Sequence, residues 1–196
     1  MHVTIEELDQ ANPEHLWAVG QVSDWTQQID SVGTASAADI LNFPLSLIAF
    51  DTDNTDEQTG WRMPAGHLAQ VLFERNYHGE ALVKLGRHVV NPAEEYQGQH
   101  IGGILLDVML AELQAIPVVQ SAFAFVNDRS ARLYQSRGAK IAWNVRNPNT
   151  MRDVKTGCIH VANVLPAIRR RHRLQSVNTW PAQNIFAANQ SVTLVS

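Results

Sequence analysis

The chain has 196 residues, 45% of them apolar and 17% charged, with a formal net charge of −4. That composition excludes a disordered chain, and the acidic balance excludes a general nucleic-acid binder, which carries a basic excess. The single cysteine, Cys158, excludes an internal disulfide framework and a cysteine-based zinc site and reads as a small buried hydrophobe.

In chain order, His2 to Leu8 alternates and predicts a strand. Asn12-Pro13 supplies a helix cap and a first-position proline, opening a helix through Leu16, Trp17 and Val19. Ser36 to Phe43 predicts a second short helix, stopped by Pro44, and the apolar run Leu45 to Phe50 a buried strand. Asp51 to Gly60 is acidic and polar and reads as a loop. His67 to Arg75 and Ala81 to Val90 read as the two strands of a hairpin, turned at Asn76 to Gly79. After a glycine-bearing loop from Asn91 to Gly103, Leu105, Val108, Met109 and Leu113 mark a long helix that ends before Pro117. Val118 to Val126 is a strand, Asp128 to Arg137 a short helix stopped at Gly138, and Ala139 to Val145 a strand. Cys158 to Leu165 and Ser191 to Val195 are further candidate strands.

The order β-α-α-β-β-β-α-β-α-β predicts a mixed α+β or α/β domain: a central twisted mixed sheet flanked by helices. One domain is expected over 1–196, with a core of about 2–147 and a C-terminal extension over 148–196. Met1 to Asp9 lacks the apolar run of a signal peptide, and no stretch reaches the ~18 apolar residues of a membrane helix. A cytoplasmic protein is therefore expected.

Chemistry concentrates where the strand ending at Val89-Val90 gives way to the long helix. The first helical N–H groups have no partners within the helix, and with the helix dipole they form an anion site. Gly98, Gly102 and Gly103 let the backbone approach a phosphate; the plain alternative is a glycine-bearing turn before a core helix. A second stretch, Asn127-Asp128-Arg129-Ser130-Ala131-Arg132-Leu133-Tyr134-Gln135-Ser136-Arg137-Gly138, lies one strand later.

Together the two stretches resemble the GNAT (GCN5-related N-acetyltransferase) family. Its members carry Gln/Arg-x-x-Gly-x-Gly/Ala after a strand ending in Val-x-Pro, as Val90-Asn91-Pro92 and Gln97-Gly98-Gln99-His100-Ile101-Gly102 stand here. The second motif is matched at Asn127, Ala131, Leu133, Tyr134 and Gly138, and the element order agrees from Val3 to Val145. The chain departs from the family at His100, which stands in place of the first motif glycine, in a loop two residues longer than usual, and at Ala139, which replaces an aromatic.

The resemblance implies an N-acetyltransferase that moves an acetyl group from acetyl-CoA to an amine by direct attack in a ternary complex. It implies that Gln97, Gly98, Gln99, His100, Ile101, Gly102 and Gly103 cradle the CoA pyrophosphate. Val89 and Val90 would bond the pantetheine arm through their main chain. Asn127 would bond a pantetheine amide, and capping of the following helix is its plainer role. Tyr134 would protonate the departing thiolate as general acid; the alternative is a core tyrosine. The Val90 N–H would stabilise the oxyanion.

For the base, His88, on the strand beside the acyl site, titrates in a suitable range and ranks above Glu74 and Glu80; an outward-facing strand histidine is the alternative. His67, His78 and His88 share one hairpin but lack a carboxylate at ligand spacing, so no metal is expected. No lysine follows the glycines as in nucleotide-phosphate enzymes. The acidic run Asp51 to Glu57 could attract a cationic amine. Arg169-Arg170-Arg171-His172-Arg173 reads as a solvated face before it reads as a grip on an acidic partner or the CoA 3′-phosphate. Trp180 to Ser196 leaves open packing within one chain or a strand crossing to a second subunit in a homodimer. The acceptor, a small-molecule or a protein amine, carries no readable motif. The competing reading is a catalytically degenerate module of the same fold that binds acyl-CoA or a protein partner.

Overall fold

The computed structural model describes residues 1–29, 34–75, 80–146 and 153–160. The elements run β1 (Val3–Glu7), α1 (Pro13–Gln28), α2 (Ala37–Leu41), β2 (Leu45–Thr55), β3 (Arg62–Arg75), β4 (Ala81–Val90), α3 (Ile101–Gln114), β5 (Val119–Val126), α4 (Asp128–Gln135), β6 (Lys140–Arg146) and β7 (Asp153–His160). The expected order therefore holds and is followed by β7. Two compact units divide the chain. One comprises Met1–Gln70 with Arg87–Leu106, and the other Val71–Gly86 with the described residues from Asp107 onward.

In the first unit β1, β2 and β3 form an antiparallel meander, with Ile5 opposite Ala49 and Ile48 opposite His67. Helix α1 starts where Asn12 accepts a hydrogen bond from the Glu14 N–H and Pro13 takes the first helical position. Helix α2 begins with a capping box between Ser36 and Asp39. Ala18, Val19, Val22 and Trp25 of α1 pack with Ile40, Ile48, Phe50 and Val89 into a buried core cluster. At its margin the Asp9 N–H donates to His15 Nδ1, so Nε2 carries the ring proton and donates to Glu6 at 3.1 Å. Arg62 bonds both Glu6 and Glu14 and lies 4.5 Å over the Phe50 ring. Glu6 is held down to about 2, by the His15 hydrogen bond first and then by Arg62, against its own burial.

Two boundaries differ from expectation for the same reason. Asp51 to Gly60, read as a loop, is strand as far as Thr55, and β3 begins at Arg62 rather than His67, because antiparallel pairing carries on to Thr55↔Arg62. A turn closes it: Asp56 Oδ1 accepts from the N–H groups of Gln58 and Thr59, and Gly60 has φ +72.

In the second unit the strands lie in the order β4-β5-β7-β6. β4 and β5 are parallel from Ala81↔Val119 to Leu85↔Ala124, and the other pairs are antiparallel. The sheet is mixed, as expected. β7 begins earlier than the expected Cys158, because its pairing with both β5 and β6 begins near Asp153, and residues 161–165 of that expectation lie outside the described residues. Helix α4 opens with a reciprocal box: Asn127 Oδ1 accepts from the Ser130 N–H at 2.8 Å and Ser130 Oγ accepts from the Asn127 N–H at 3.0 Å. The expected turn at Asn76 to Gly79, the strand at Ser191 to Val195, the Arg169 to Arg173 cluster and the Trp180 to Ser196 segment lie outside the described residues.

Candidate active site

The junction singled out by its glycines lies wholly in the first unit. β4 turns sharply before its end: Arg87 has φ +56, a left-handed conformation that disfavours a side chain. Val89 is buried, and Asn91 fastens the end of the strand to β3. The Asn91 N–H donates to the Ala65 carbonyl at 2.9 Å, and its Nδ2 donates to the Pro64 carbonyl at 2.9 Å.

The loop that follows is built by its own side chains. Asn91 Oδ1 accepts from the Ala93 N–H, Glu94–Tyr96 form a 3-10 turn, and Gln97 Nε2 reaches back to donate to the Asn91 carbonyl. Tyr96 is buried, and Asn54 Nδ2 donates to its hydroxyl at 3.2 Å. The extra loop length is thus absorbed by an anchored turn. The motif reading passes over Tyr96, whose signal is that of a lone aromatic in a polar loop.

Gly98 (φ +80) and His100 (φ +62) both take left-handed conformations. The position has the backbone for which glycine is suited, and His100 occupies it with its side chain exposed. The helical ladder of α3 opens with the Ile104 N–H on the His100 carbonyl, so the N–H groups of Ile101, Gly102 and Gly103 precede it. Left-handed residues leading into a helix, with early amides ahead of the ladder, suit an anion.

Gly102 has a second constraint. A Cβ there would stand 3.2 Å from His88 Nε2 and 3.3 Å from Val90 Cγ2. Its smallness lets the helix lie on β4 as much as it lets a phosphate approach. His88 Nε2 lies 2.9 Å from the Gly102 carbonyl. A carbonyl can only accept, so Nε2 carries a proton and donates it there. Any proton taken up by this ring must go to Nδ1.

In the second unit Tyr134 is buried on α4, and burial raises its phenol above the ordinary tyrosine range. It holds its proton throughout the neutral range. Asn127 uses Oδ1 to cap α4, the plainer of its two expected roles. The parallel ladder of β4 on β5 ends at Leu85↔Ala124, and β4 runs on to Val90.

The remaining candidates are placed as follows. Glu74 lies near the end of β3, and Glu80 is exposed just before β4. The acidic run is partly spent on structure: Asp51 Oδ1 accepts from the Asp53 N–H, and Asp53 accepts from the His2 ring. His67 and His88 each bond a main-chain carbonyl, and His78 lies outside the described residues. No group of three metal-ligating side chains occurs among the described residues, and no helix among them is long and apolar enough to cross a membrane.

No family model and no curated protein matches the sequence. Solved structures match the fold. A chain of the NatC complex bound to Gag peptide and CoA superposes with a TM-score of 0.64 at 17% identity, over 82% of this chain and 99% of its own. NAA60 of Arabidopsis thaliana in complex with acetyl-CoA gives 0.61 at 14% identity, over 81% and 98%. An acetyltransferase of the GNAT family from Streptococcus pneumoniae gives 0.55 at 14% identity, over 81% and 98%.

Proposed function

We propose that this chain, whose fold is that of the GNAT acetyltransferases, is an acyl-CoA-dependent N-acyltransferase that moves an acetyl group from acetyl-CoA to an amine. The observation that carries the reading is the β4–α3 junction: left-handed backbone at Gly98 and His100 feeding three amides, at Ile101, Gly102 and Gly103, that precede the helical ladder. That is a seat for a pyrophosphate. Solved relatives of the same fold hold CoA or acetyl-CoA, which supports this choice of anion. The chain acts as one acyltransferase domain in this proposal.

In the proposed reaction a neutral amine attacks the thioester carbonyl. A C–N bond forms, and the negative charge gathers on oxygen, where the Val90 N–H stabilises it. The C–S bond then breaks and the electron pair leaves on sulfur. Tyr134 supplies the proton to that thiolate; its phenol stays protonated through the neutral range, so the proton is there to give. The proton lost from the amine goes to His88 at Nδ1, since Nε2–H is engaged with Gly102. Gln97 shapes the loop through Asn91, and Asn127 positions the start of α4.

Calorimetric titration of the full chain with acetyl-CoA, beside free CoA and ATP, tests the reading. Micromolar binding of acetyl-CoA without ATP binding supports it, and an amine screen follows. Folded protein that binds no acetyl-CoA would overturn it in favour of a catalytically degenerate module.

A further inference from the structure

His67 is fully buried in β3, opposite Ile48 of β2. Its Nδ1 lies 3.0 Å from the carbonyl oxygen of Arg87, so Nδ1 carries the ring proton and donates it. Nε2 is then a bare acceptor, buried without a hydrogen-bond partner among the described residues. Leaving such an atom unpaired is unfavourable, a cost that an apolar residue of similar size would avoid. The atom for which this position uses histidine is therefore Nδ1.

The acceptor of that bond is an unusual residue. Arg87 sits at φ +56 within a strand. Left-handed backbone in a residue with a side chain is strained and persists where the surroundings fix it. Four consecutive residues of β3 provide that fixing. Pro64 and Ala65 accept from Asn91, Gly66 lies so close that a Cβ would meet the Val89 carbonyl at 3.0 Å, and His67 donates to Arg87. The segment from Arg87 to Asn91 is thus held at both ends and pressed in its middle.

We propose that His67 is a positioning residue: its Nδ1–H, given to the Arg87 carbonyl, fixes the turn in β4 that aims the main chain of Val89 and Val90 at the acyl-CoA. The inference rests on the proposed function for its consequence, though not for the hold on the strand itself. It acts through the backbone, so it makes no contact with substrate.

Two near-isosteric variants of the full chain separate the donor from mere bulk. His67→Asn keeps an N–H close to the position of Nδ1, and His67→Leu keeps the volume without a donor. His67→Gln, whose amide reaches toward the Nε2 position instead, is a second loss variant should the leucine chain fail to fold. Acetyl-CoA binding by calorimetry and the amide shifts of Val89 and Val90 in nitrogen-15 spectra are the readouts, with circular dichroism to check folding. Expected are displaced Val89 and Val90 amides and acetyl-CoA binding weakened on the order of tenfold or more in the leucine and glutamine variants. The asparagine variant is expected close to the parent in both. Unchanged amides in the leucine or glutamine variant, or an asparagine variant as impaired as the leucine one, would overturn the proposal. If the parent chain itself binds no acetyl-CoA, the acyltransferase reading fails, and the amide comparison still decides the role of His67.

Discussion

Arg137 grips Asp107 with two parallel bonds, Nε to Oδ1 at 2.9 Å and Nη2 to Oδ2 at 3.0 Å, and both side chains are nearly out of solvent. Within the second unit the pair ties α3 to the turn after α4. Removing one partner takes the counter-ion from a buried charge, which typically costs about 3–5 kcal/mol, whereas replacing both with apolar residues is often neutral. Arg137→Met is expected to lower the urea midpoint sharply, and Asp107→Leu with Arg137→Met to recover most of it. A single variant as stable as the parent would show that the pair carries no such weight.

Two groups with large shifts contribute to the acid limit of stability, in separate windows. Burial pushes His67 down to about 4, so the unfolded chain takes up this proton first as pH falls. Its contribution is complete above the ordinary histidine value of about 6.5 and is lost as pH falls from there toward 4. Glu6, held at about 2, contributes above 4.5 and loses that contribution as pH falls toward 2. Urea midpoints measured from neutral pH downward are expected to fall in two stages, with His67→Asn removing the upper one. A parent chain with constant stability from pH 7 to 5 would refute the assignment to His67.

His100→Gly is expected to stabilise the loop by about 1 kcal/mol, because glycine adopts φ +62 without the Cβ penalty. Acetyl-CoA affinity should hold or rise. Weaker binding would mean that the imidazole itself touches the ligand, which a calorimetric comparison detects directly.

Gly66→Ala is expected to destabilise by about 1–3 kcal/mol through overpacking. Its Cβ would stand 2.9 Å from Leu105 Cδ1 and 3.0 Å from the Val89 carbonyl, and main chain cannot swing aside as a side-chain tip can. Thermal melting checks this; an unchanged midpoint would contradict the packing argument.

Tyr134→Phe is expected to cut turnover roughly 10²-fold with little change in acetyl-CoA affinity, the size usual for a lost general acid. Steady-state kinetics with an identified amine decides it, and full activity across pH would remove Tyr134 from that role.

The element order was readable because apolar periodicity and caps act locally: Asn12-Pro13 opens α1 and Asn127 opens α4, as their side chains foretold. Asp51 to Thr55 was not readable as strand. Asp51 and Thr55 are held at its two ends by pairing with Met63 and Arg62 of β3, a relation between segments that composition does not carry. Arg62 likewise starts β3 among partners at Glu6 and Glu14, far away in the chain. At the candidate site the glycines were legible, yet their reasons were only half so. Gly102 faces His88 as well as any phosphate, and that contact exists only once β4 and α3 are packed. His67 looked like one of three hairpin histidines, and its bond to Arg87 depends on a backbone turn that no residue type announces.

The Tyr96 anchor has a consequence for kinetics. With its ring buried, its hydroxyl bonded to Asn54 and Gln97 reaching back to Asn91, the long loop loses its freedom when the protein folds. On the proposed function, little ordering is then left to be done when the CoA phosphates arrive, and that cost drops out of the binding free energy. Capture by such a cradle is a matter of collision and alignment rather than of waiting for a segment to close, so the association rate should follow solvent viscosity.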